Sequence, residues 1–286
     1  MTDVAYGTPE TLEPGIVRLT APNPSPYTST GTQSYIVGTL DVAVIDPGPV
    51  DAAHLAALLG TIGERRLRAI VCTHTHRDHS PGAAPLAAAT GAPIIGCAAL
   101  SLDDGDARAD ASFDSDYAPD RVLGDGEEVA GEDWTLRAVA TPGHTSNHLA
   151  FGMPESGALF SGDHVMGWST SIVSPPDGSM RAYMASLEKL LGRDDRVYYP
   201  GHGPAVENPQ RLVRGMLGHR KQREGQVLRV LRNGTAPLET LVEAMYVGID
   251  PRLKGAAARS VLAHLIDLRE RGLVKSEEGS AWSIQS

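Results

Sequence analysis

Cysteine is scarce: the 286-residue chain has two, Cys72 and Cys97. Two thiols on separate apolar, strand-like segments cannot build a disulfide framework. With no Cys-x-x-Cys spacing, both are read as core residues, in keeping with a reducing compartment. Also missing is any apolar run of membrane-spanning length. The opening Met1-Thr2-Asp3-Val4 has neither the basic flank nor the apolar stretch of a leader. These absences set the expectation of a soluble cytoplasmic protein without membrane contact. No glycine-rich nucleotide loop occurs. The aspartates between Ser101 and Asp120 do not follow calcium-loop spacing, so that acidic stretch is read as a solvated loop or a lid. The rest is an ordinary globular composition, 41% apolar, in a chain long enough for one large domain and a small one.

Positive charge is scarce over most of the length. Residues 1–208 hold 12 Lys+Arg against 27 Asp+Glu, a net of −15, whereas residues 209–286 hold 13 against 8, a net of +5. The shift predicts one domain over 1–208 and an appended domain over 209–286. A basic appendage of this kind can hold an anionic polymer.

Histidine, by contrast, is concentrated. Seven of the ten fall in four motifs, each closing an apolar run that reads as a strand. The first is Thr73-His74-Thr75-His76-Arg77-Asp78-His79, after the run from Leu67 to Cys72. His74 and His76 lie two apart, so on an extended strand end both rings leave one face and can grip one ion. Asp78 and His79 follow where the chain turns at Ser80-Pro81-Gly82, and can face a second ion. Imidazole and carboxylate without thiolate suit Zn²⁺ in a catalytic rather than a structural site. Downstream come Thr141-Pro142-Gly143-His144-Thr145-Ser146-Asn147-His148, then Ser161-Gly162-Asp163-His164, then Pro200-Gly201-His202. Asp163 leaves its strand through a glycine, and a carboxylate there can bridge two cations. His148, four residues past His144, is read as orienting the site or touching substrate, and His164 as supporting or core.

The His-x-His-x-Asp-His run, the three later motifs, the stretch Gly31 to Gly38 and the turn Ile45-Asp46-Pro47-Gly48 together resemble the metallo-β-lactamase superfamily across residues 31–204. The resemblance implies an α+β fold, the four-layer αββα sandwich. It implies two zinc ions, with His74, His76 and His144 on one, Asp78, His79 and His202 on the other, and Asp163 between them. The implied chemistry is hydrolysis by a metal-bound hydroxide, with Asp78 able to take up the proton. Asp46 is expected in a turn or supporting role. A flavo-diiron branch would carry glutamate at the place of His76, and a mononuclear iron branch would not need the second ligand set, so hydrolysis is favoured over redox chemistry. Trp168 and Ser169, on the loop leaving the Asp163 turn, and Tyr27, in a proline-rich loop, are the candidate substrate contacts.

Past Pro209 the pattern predicts helices over 210–231, 238–246 and 256–271 and a hairpin over 272–284, a winged-helix arrangement. With His219-Arg220-Lys221-Gln222-Arg223-Glu224 and the Leu265, Leu268, Gly272 spacing, the tail resembles that of the β-lactamase-like protein 2 subgroup. That resemblance implies single-stranded RNA as a candidate substrate, cut endoribonucleolytically, with nucleic-acid contact through the basic tail. The acidic body instead suits a small-molecule thioester, ester or lactone. A third reading, a regulatory nucleic-acid-binding protein with a vestigial metal core, is disfavoured by the intact ligand set.

Overall fold

A computed structural model of the chain describes residues 4–100, 113–277 and 281–285. It divides into two compact units. The first comprises Met1–Thr141, Asn147–Ser171 and Asp194–Pro209; the second comprises Pro142–Ser146, Ile172–Arg193 and Gln210–Ser286.

The first unit is an α+β sandwich of two mixed sheets. Seven strands lie in chain order: β1 (Glu10–Glu13), β2 (Ile16–Thr20), β3 (Gln33–Val37), β4 (Asp41–Ile45), β5 (Arg66–Cys72), β6 (Ile94–Gly96) and β7 (Arg121–Val122). β1 to β4 pair antiparallel; β4 to β7 run parallel. Parallel pairing needs crossovers, and α1 (Ala52–Ile62) and α2 (Ala83–Thr90) supply two of them. Asp51 caps α1 as expected, its carboxylate accepting from the His54 amide at 2.7 Å.

The second sheet orders β8 (Glu128–Ala130), β9 (Thr135–Ala140), β10 (Leu149–Met153), β11 (Ala158–Gly162) and β12 (Val197–Pro200) as β12-β11-β10-β9-β8. One hydrophobic core joins the two sheets, with Ile36, Val44, Ile70, Leu136, Phe151 and Phe160 fully buried. The sequence reading missed β10. Its five residues, Leu-Ala-Phe-Gly-Met, are buried on both faces and show no alternation.

A polar clamp ties the sheets beside this core. Asp41, at the start of β4 and buried, accepts from the Glu132 amide at 2.9 Å, the Trp134 indole at 3.0 Å and Arg68 Nε at 2.7 Å. Burial pushes the Asp41 carboxyl up, and these donors outweigh it, so its pKa lies below the ordinary value. A depressed folded-state pKa adds stability above the unfolded-state value and loses it as pH falls. Asp41→Ala is expected to cost about 2–4 kcal/mol, because buried donors lose their acceptor. In a thermal melt at neutral pH that is roughly 4–16 °C. The gap to wild type should narrow as the pH approaches about 3, near the ordinary carboxylate range; a gap unchanged across that range would refute the clamp.

Of the acidic stretch, residues 101–112 lie outside the described residues. From 113 to 120 the chain is a loop with Ser115, Asp116, Ala118 and Asp120 exposed, and hydrogen bonds tie it down. Ser80 Oγ donates to Asp114 at 2.7 Å, the Asp114 amide donates to the Thr75 carbonyl at 2.6 Å, and Asp120 accepts from the Ile94 amide at 2.8 Å. The first two bonds brace the segment that carries the first motif, and the third ties the loop to β6.

The second unit holds α3 (Met180–Leu191), most of α4 (Pro209–Leu231), α5 (Leu238–Met245), α6 (Lys254–Glu270) and a sheet ordered β13-β15-β14. The strands are β13 (Ala236–Pro237), β14 (Val274–Ser276) and β15 (Ala281–Ile284). Val227, Leu241, Val261, Leu265, Leu268 and Trp282 form its core, so the predicted apolar spacing of α6 faces inward. The expected two-stranded hairpin has gained β13. That strand is two residues ending in proline, tolerated at a sheet edge and too short to read as a strand.

Candidate metal centre

Strand direction assembles the first unit's site. β4 and β5 run parallel, so the residues that follow them emerge at the same edge: Asp46 after one, Thr73 and His74 after the other. The Thr73 amide donates to Asp46 Oδ1 at 2.8 Å. β11 and β12 also run parallel, which sets Asp163 and His202 side by side, with the Gly201 amide donating to the Gly162 carbonyl at 2.9 Å. The two sheets meet here: the Leu149 amide donates to the Thr73 carbonyl and the Gln33 amide to the Gly201 carbonyl, both at 2.8 Å. Two glycines let the chains close up. Gly162 has φ 49°, and a Cβ on it would stand 2.7 Å from His148 Nε2. A Cβ on Gly201 would stand 2.5 Å from Asp163 Oδ1.

The hydrogen-bond network fixes the imidazole tautomers. His79 Nδ1 donates to Asp46 Oδ2 at 2.9 Å and His202 Nδ1 to the Gly31 carbonyl at 3.2 Å, so each carries its lone pair on Nε2. Thr73 Oγ1 gives its one proton to Asp46 Oδ2 at 2.8 Å, and therefore accepts from His74 Nδ1 at 2.9 Å. Asp46 thus orients two imidazoles, one directly and one through Thr73. It sits at φ 49°, a conformation aspartate tolerates better than most residues. Its oxygens receive hydrogen bonds from Thr73 and His79, in line with the supporting role read from sequence.

The geometry then fits divalent cations. The Nε2 atoms of His79 and His202 face each other at 3.3 Å. Asp78 Oδ2 lies 3.4 Å from the first and 3.2 Å from the second. Asp163 stands 3.5 Å from His79 Nε2 through Oδ1 and 3.4 Å from His202 Nε2 through Oδ2. A tetrahedron with bonds of about 2.0–2.2 Å has edges of about 3.3–3.6 Å, so Asp78, His79 and His202 are spaced as a group that could hold a cation, with one Asp163 oxygen near each of the two imidazoles. Beside it, His74 Nε2 and His76 Nδ1 are 3.1 Å apart, and His74, His76 and Asp163 offer ligand atoms within 4.8 Å of one another.

Charge points the same way. Burial, reinforced by His79 and His76, holds the His74 pKa well below its ordinary value. Burial also pulls on His79, but Asp78, Asp163 and Asp46 outweigh it and raise that pKa well above ordinary. For His202 burial again opposes, and Asp163 and Asp78 prevail, pushing it up to about 9. Burial alone would raise Asp78 and Asp163; the neighbouring His79 and His202 hold both well below the usual carboxylate range. The pocket is built for positive charge, as protons or as metal.

His148 is buried and both its ring nitrogens are engaged. Nε2 accepts from the Asp163 amide at 3.2 Å, and Nδ1 donates to Thr141 Oγ1 at 2.9 Å. Both bonds link it to strand ends that carry the motifs. His164 is fully buried, its ring 5.8 Å from that of His148. In the second unit, His144 lies on the short segment 142–146, and its Nδ1 donates to the Ile172 carbonyl at 2.6 Å, which directs its lone pair to Nε2.

Trp168 is exposed and covers Gly203, where a Cβ would stand 2.5 Å from its ring, so it borders the His202 turn. Tyr27 is exposed on the loop whose Asn23 donates to Thr32 Oγ1, which in turn donates to Asp78 Oδ2, each at 2.9 Å. Ser169 is exposed, its hydroxyl 3.4 Å from the Thr170 carbonyl. Sequence reading passed over the hydroxyls Thr32, Thr73 and Thr141. For two of them the signal was there, since Thr73 and Thr141 each open a histidine motif.

Residues 28–202 match the family described as the metallo-beta-lactamase superfamily. The chain belongs to that superfamily. Residues 238–282 match the beta-lactamase associated winged helix domain. A beta-lactamase-like protein 2 homolog of Drosophila melanogaster is 30% identical over 92% of this chain and 91% of its own. An atrochrysone carboxyl ACP thioesterase of Aspergillus fumigatus is 32% identical over 83% of this chain and 75% of its own. A metallo-beta-lactamase family protein from Thermus thermophilus superposes with a TM-score of 0.80 at 22% identity, covering 96% of this chain and all of that one, and so shows the shared fold. This member of the superfamily is a metal-dependent hydrolase with a C-terminal winged-helix domain. Among the described residues no helix is long and apolar enough to cross a membrane.

Proposed function

We propose that this hydrolase holds two zinc ions and cleaves a thioester. His74, His76 and His144 would hold one ion, Asp78, His79 and His202 the other, with Asp163 between them. The observation that carries the dinuclear reading is the set of 3.2–3.5 Å edges among His79, His202, Asp78 and Asp163, with His74 and His76 alongside. Nitrogen and oxygen ligands at that spacing suit zinc. Two such ions supply an acidified water and polarise a substrate oxygen.

The chain's own residues do the rest. Asp46 and Thr73 hold His74 and His79 in the ligating tautomer. His148 fixes the backbone at Asp163. Asp78, the most open of the carboxylates at 27% side-chain exposure and anchored through Thr32, is placed to pass a proton outward. Trp168 and Tyr27 offer ring faces to the acyl chain, with Ser169 as a polar contact. We assign the catalytic chemistry to residues 1–208 and the winged-helix role to 209–286.

Two facts favour a thioester: the similarity to the Aspergillus thioesterase, and the net charge of −15 over residues 1–208, which opposes the approach of a long polyanion. Single-stranded RNA is the second reading, favoured by the net +5 of the tail and the similarity to beta-lactamase-like protein 2. Elemental analysis of the purified protein should find two zinc ions per chain. That preparation should hydrolyse small acyl thioesters, lose the activity on chelation and regain it with zinc, while leaving single-stranded RNA intact. RNA cleavage without thioester turnover would reverse the choice.

A further inference from the structure

Helix α4 presents a row of the tail's positive charges on one face. Its exposed residues are 211, 214, 215, 218, 221, 222, 225 and 229, steps of three and four that a helix places in one stripe. Arg211, Arg214, Lys221 and Arg229 belong to this stripe, and exposed Arg232 extends it just past the helix end. None of these five makes an ion pair among the described residues. The one acid of the helix, Glu224, lies off the stripe and is held by Arg271 at 2.8 Å. From Arg211 to Arg229 the row runs about 27 Å at the rise of an α-helix.

The other residues of the stripe matter as much. Gly215, Gly218 and Gly225 lie on it, and a Cβ added at any of them would meet no atom within 4 Å. Glycine weakens a helix interior relative to alanine, so three without an internal packing reason call for an external one. On an exposed helix a missing Cβ lets another backbone come close. No aromatic residue lies on the stripe, so it offers nothing for bases to stack on, which single-stranded nucleic acid would use. Two copies of so basic a face repel each other. An acidic helix laid along it gains both charge pairing and close approach.

We propose that this face of α4 docks the acidic helical surface of a small carrier protein that bears the thioester substrate. The carrier's cargo rests on the thioester reading above; the docking of an acidic helix rests on α4 alone. The charge row steers the encounter, and the glycines let the helices close.

The test uses the full-length, zinc-loaded protein and one octanoyl chain presented two ways, on a holo acyl carrier protein and on N-acetylcysteamine. The double variant Arg214→Glu/Lys221→Glu should raise KM for the carrier substrate at least about tenfold with kcat within about twofold, and leave the small thioester unaffected. Wild-type KM for the carrier substrate should rise with salt. The triple variant Gly215→Ala/Gly218→Ala/Gly225→Ala should melt higher than wild type yet show a several-fold higher KM on the carrier alone. Equal carrier KM in wild type and the charge-reversed variant overturns the proposal. If neither thioester is turned over, the thioester reading fails, and anisotropy titration with the labelled carrier still decides the docking. A loss of affinity of about tenfold or more on charge reversal sustains it; absent or unchanged binding overturns it. Oligouridylate binding that the reversal abolishes, without carrier binding, overturns it in favour of single-stranded nucleic acid. A concentration-dependent dimer that the reversal abolishes overturns it in favour of a second copy of this chain.

Discussion

Asp163→Ala should abolish hydrolysis, lowering kcat/KM by about 10³-fold or more, roughly 4 kcal/mol of transition-state stabilisation. Among the described residues, Asp163 is the carboxylate that stands near both proposed ligand groups. It lies 3.5 Å from His79 Nε2 and 3.4 Å from His202 Nε2, and it also shares a ligand group with His74 and His76. Without it the imidazoles lose the carboxylate between them, and zinc content should fall from two toward one per chain. The fold should survive, because Asp163 sits at a strand end and the core of the two sheets does not involve it. Asp163→Asn tests charge apart from shape, since it keeps the side chain's outline while removing its negative charge. The measurement is turnover beside elemental analysis and a thermal melt of each protein. A folded Asp163→Ala enzyme with wild-type turnover and two zinc ions would end the dinuclear proposal.

The second large effect is expected at a residue outside the proposed ligand set. In Asp46→Asn the backbone conformation at φ 49° stays accessible, because asparagine tolerates that region as aspartate does. The hydrogen bonding does not survive. Asp46 accepts from the Thr73 amide, the Thr73 hydroxyl and His79 Nδ1, and an amide NH₂ turned toward any of them sets donor against donor. His79 is then free to change tautomer, and His74 loses its anchor through Thr73. Zinc affinity should drop by about 10- to 100-fold, as is usual when the residue behind a ligating histidine is lost. Competition against a chromogenic chelator measures this directly. Excess zinc should restore most of the lost kcat to Asp46→Asn but not to Asp163→Ala. Wild-type zinc affinity in the variant would show that the network is incidental.

Both effects rest on residues whose importance differs in how it can be read from sequence. The proposed ligands are legible because coordination chemistry admits few residue types and strand geometry imposes short, recurrent spacings: two apart for His74 and His76, adjacent for Asp78 and His79. The residues behind them are not, because a threonine has no distinctive pattern and its function depends on what lies across the fold. Thr32 and Asp78 are 46 positions apart, and Thr73 and Asp46 are 27. The same holds for β10, a central strand whose five residues are all buried because packing covers both faces of its sheet, and for Asp114 and Asp120, whose acidity suggested solvent and whose partners Ser80 and Ile94 lie far along the chain.

The amino-acid sequence by itself determined the superfamily, the α+β class, the helices and apolar faces of the tail, and the set of histidines and aspartates that could hold metal. The superfamily and its fold class follow from the resemblance of the motifs, and the helices and apolar faces from a period of about 3.6 residues; both signals are local. Only the tertiary structure decided that parallel strand pairs bring Asp46 to Thr73 and Asp163 to His202, which nitrogen of each imidazole faces inward, and that the atoms of His79, His202, Asp78 and Asp163 stand 3.2–3.5 Å apart. It also decided that the glycines of α4 lie on its basic, exposed face with nothing packed against them. Those facts come from strand direction and from hydrogen bonds between distant residues, where separation in the chain sets no limit on contact in space.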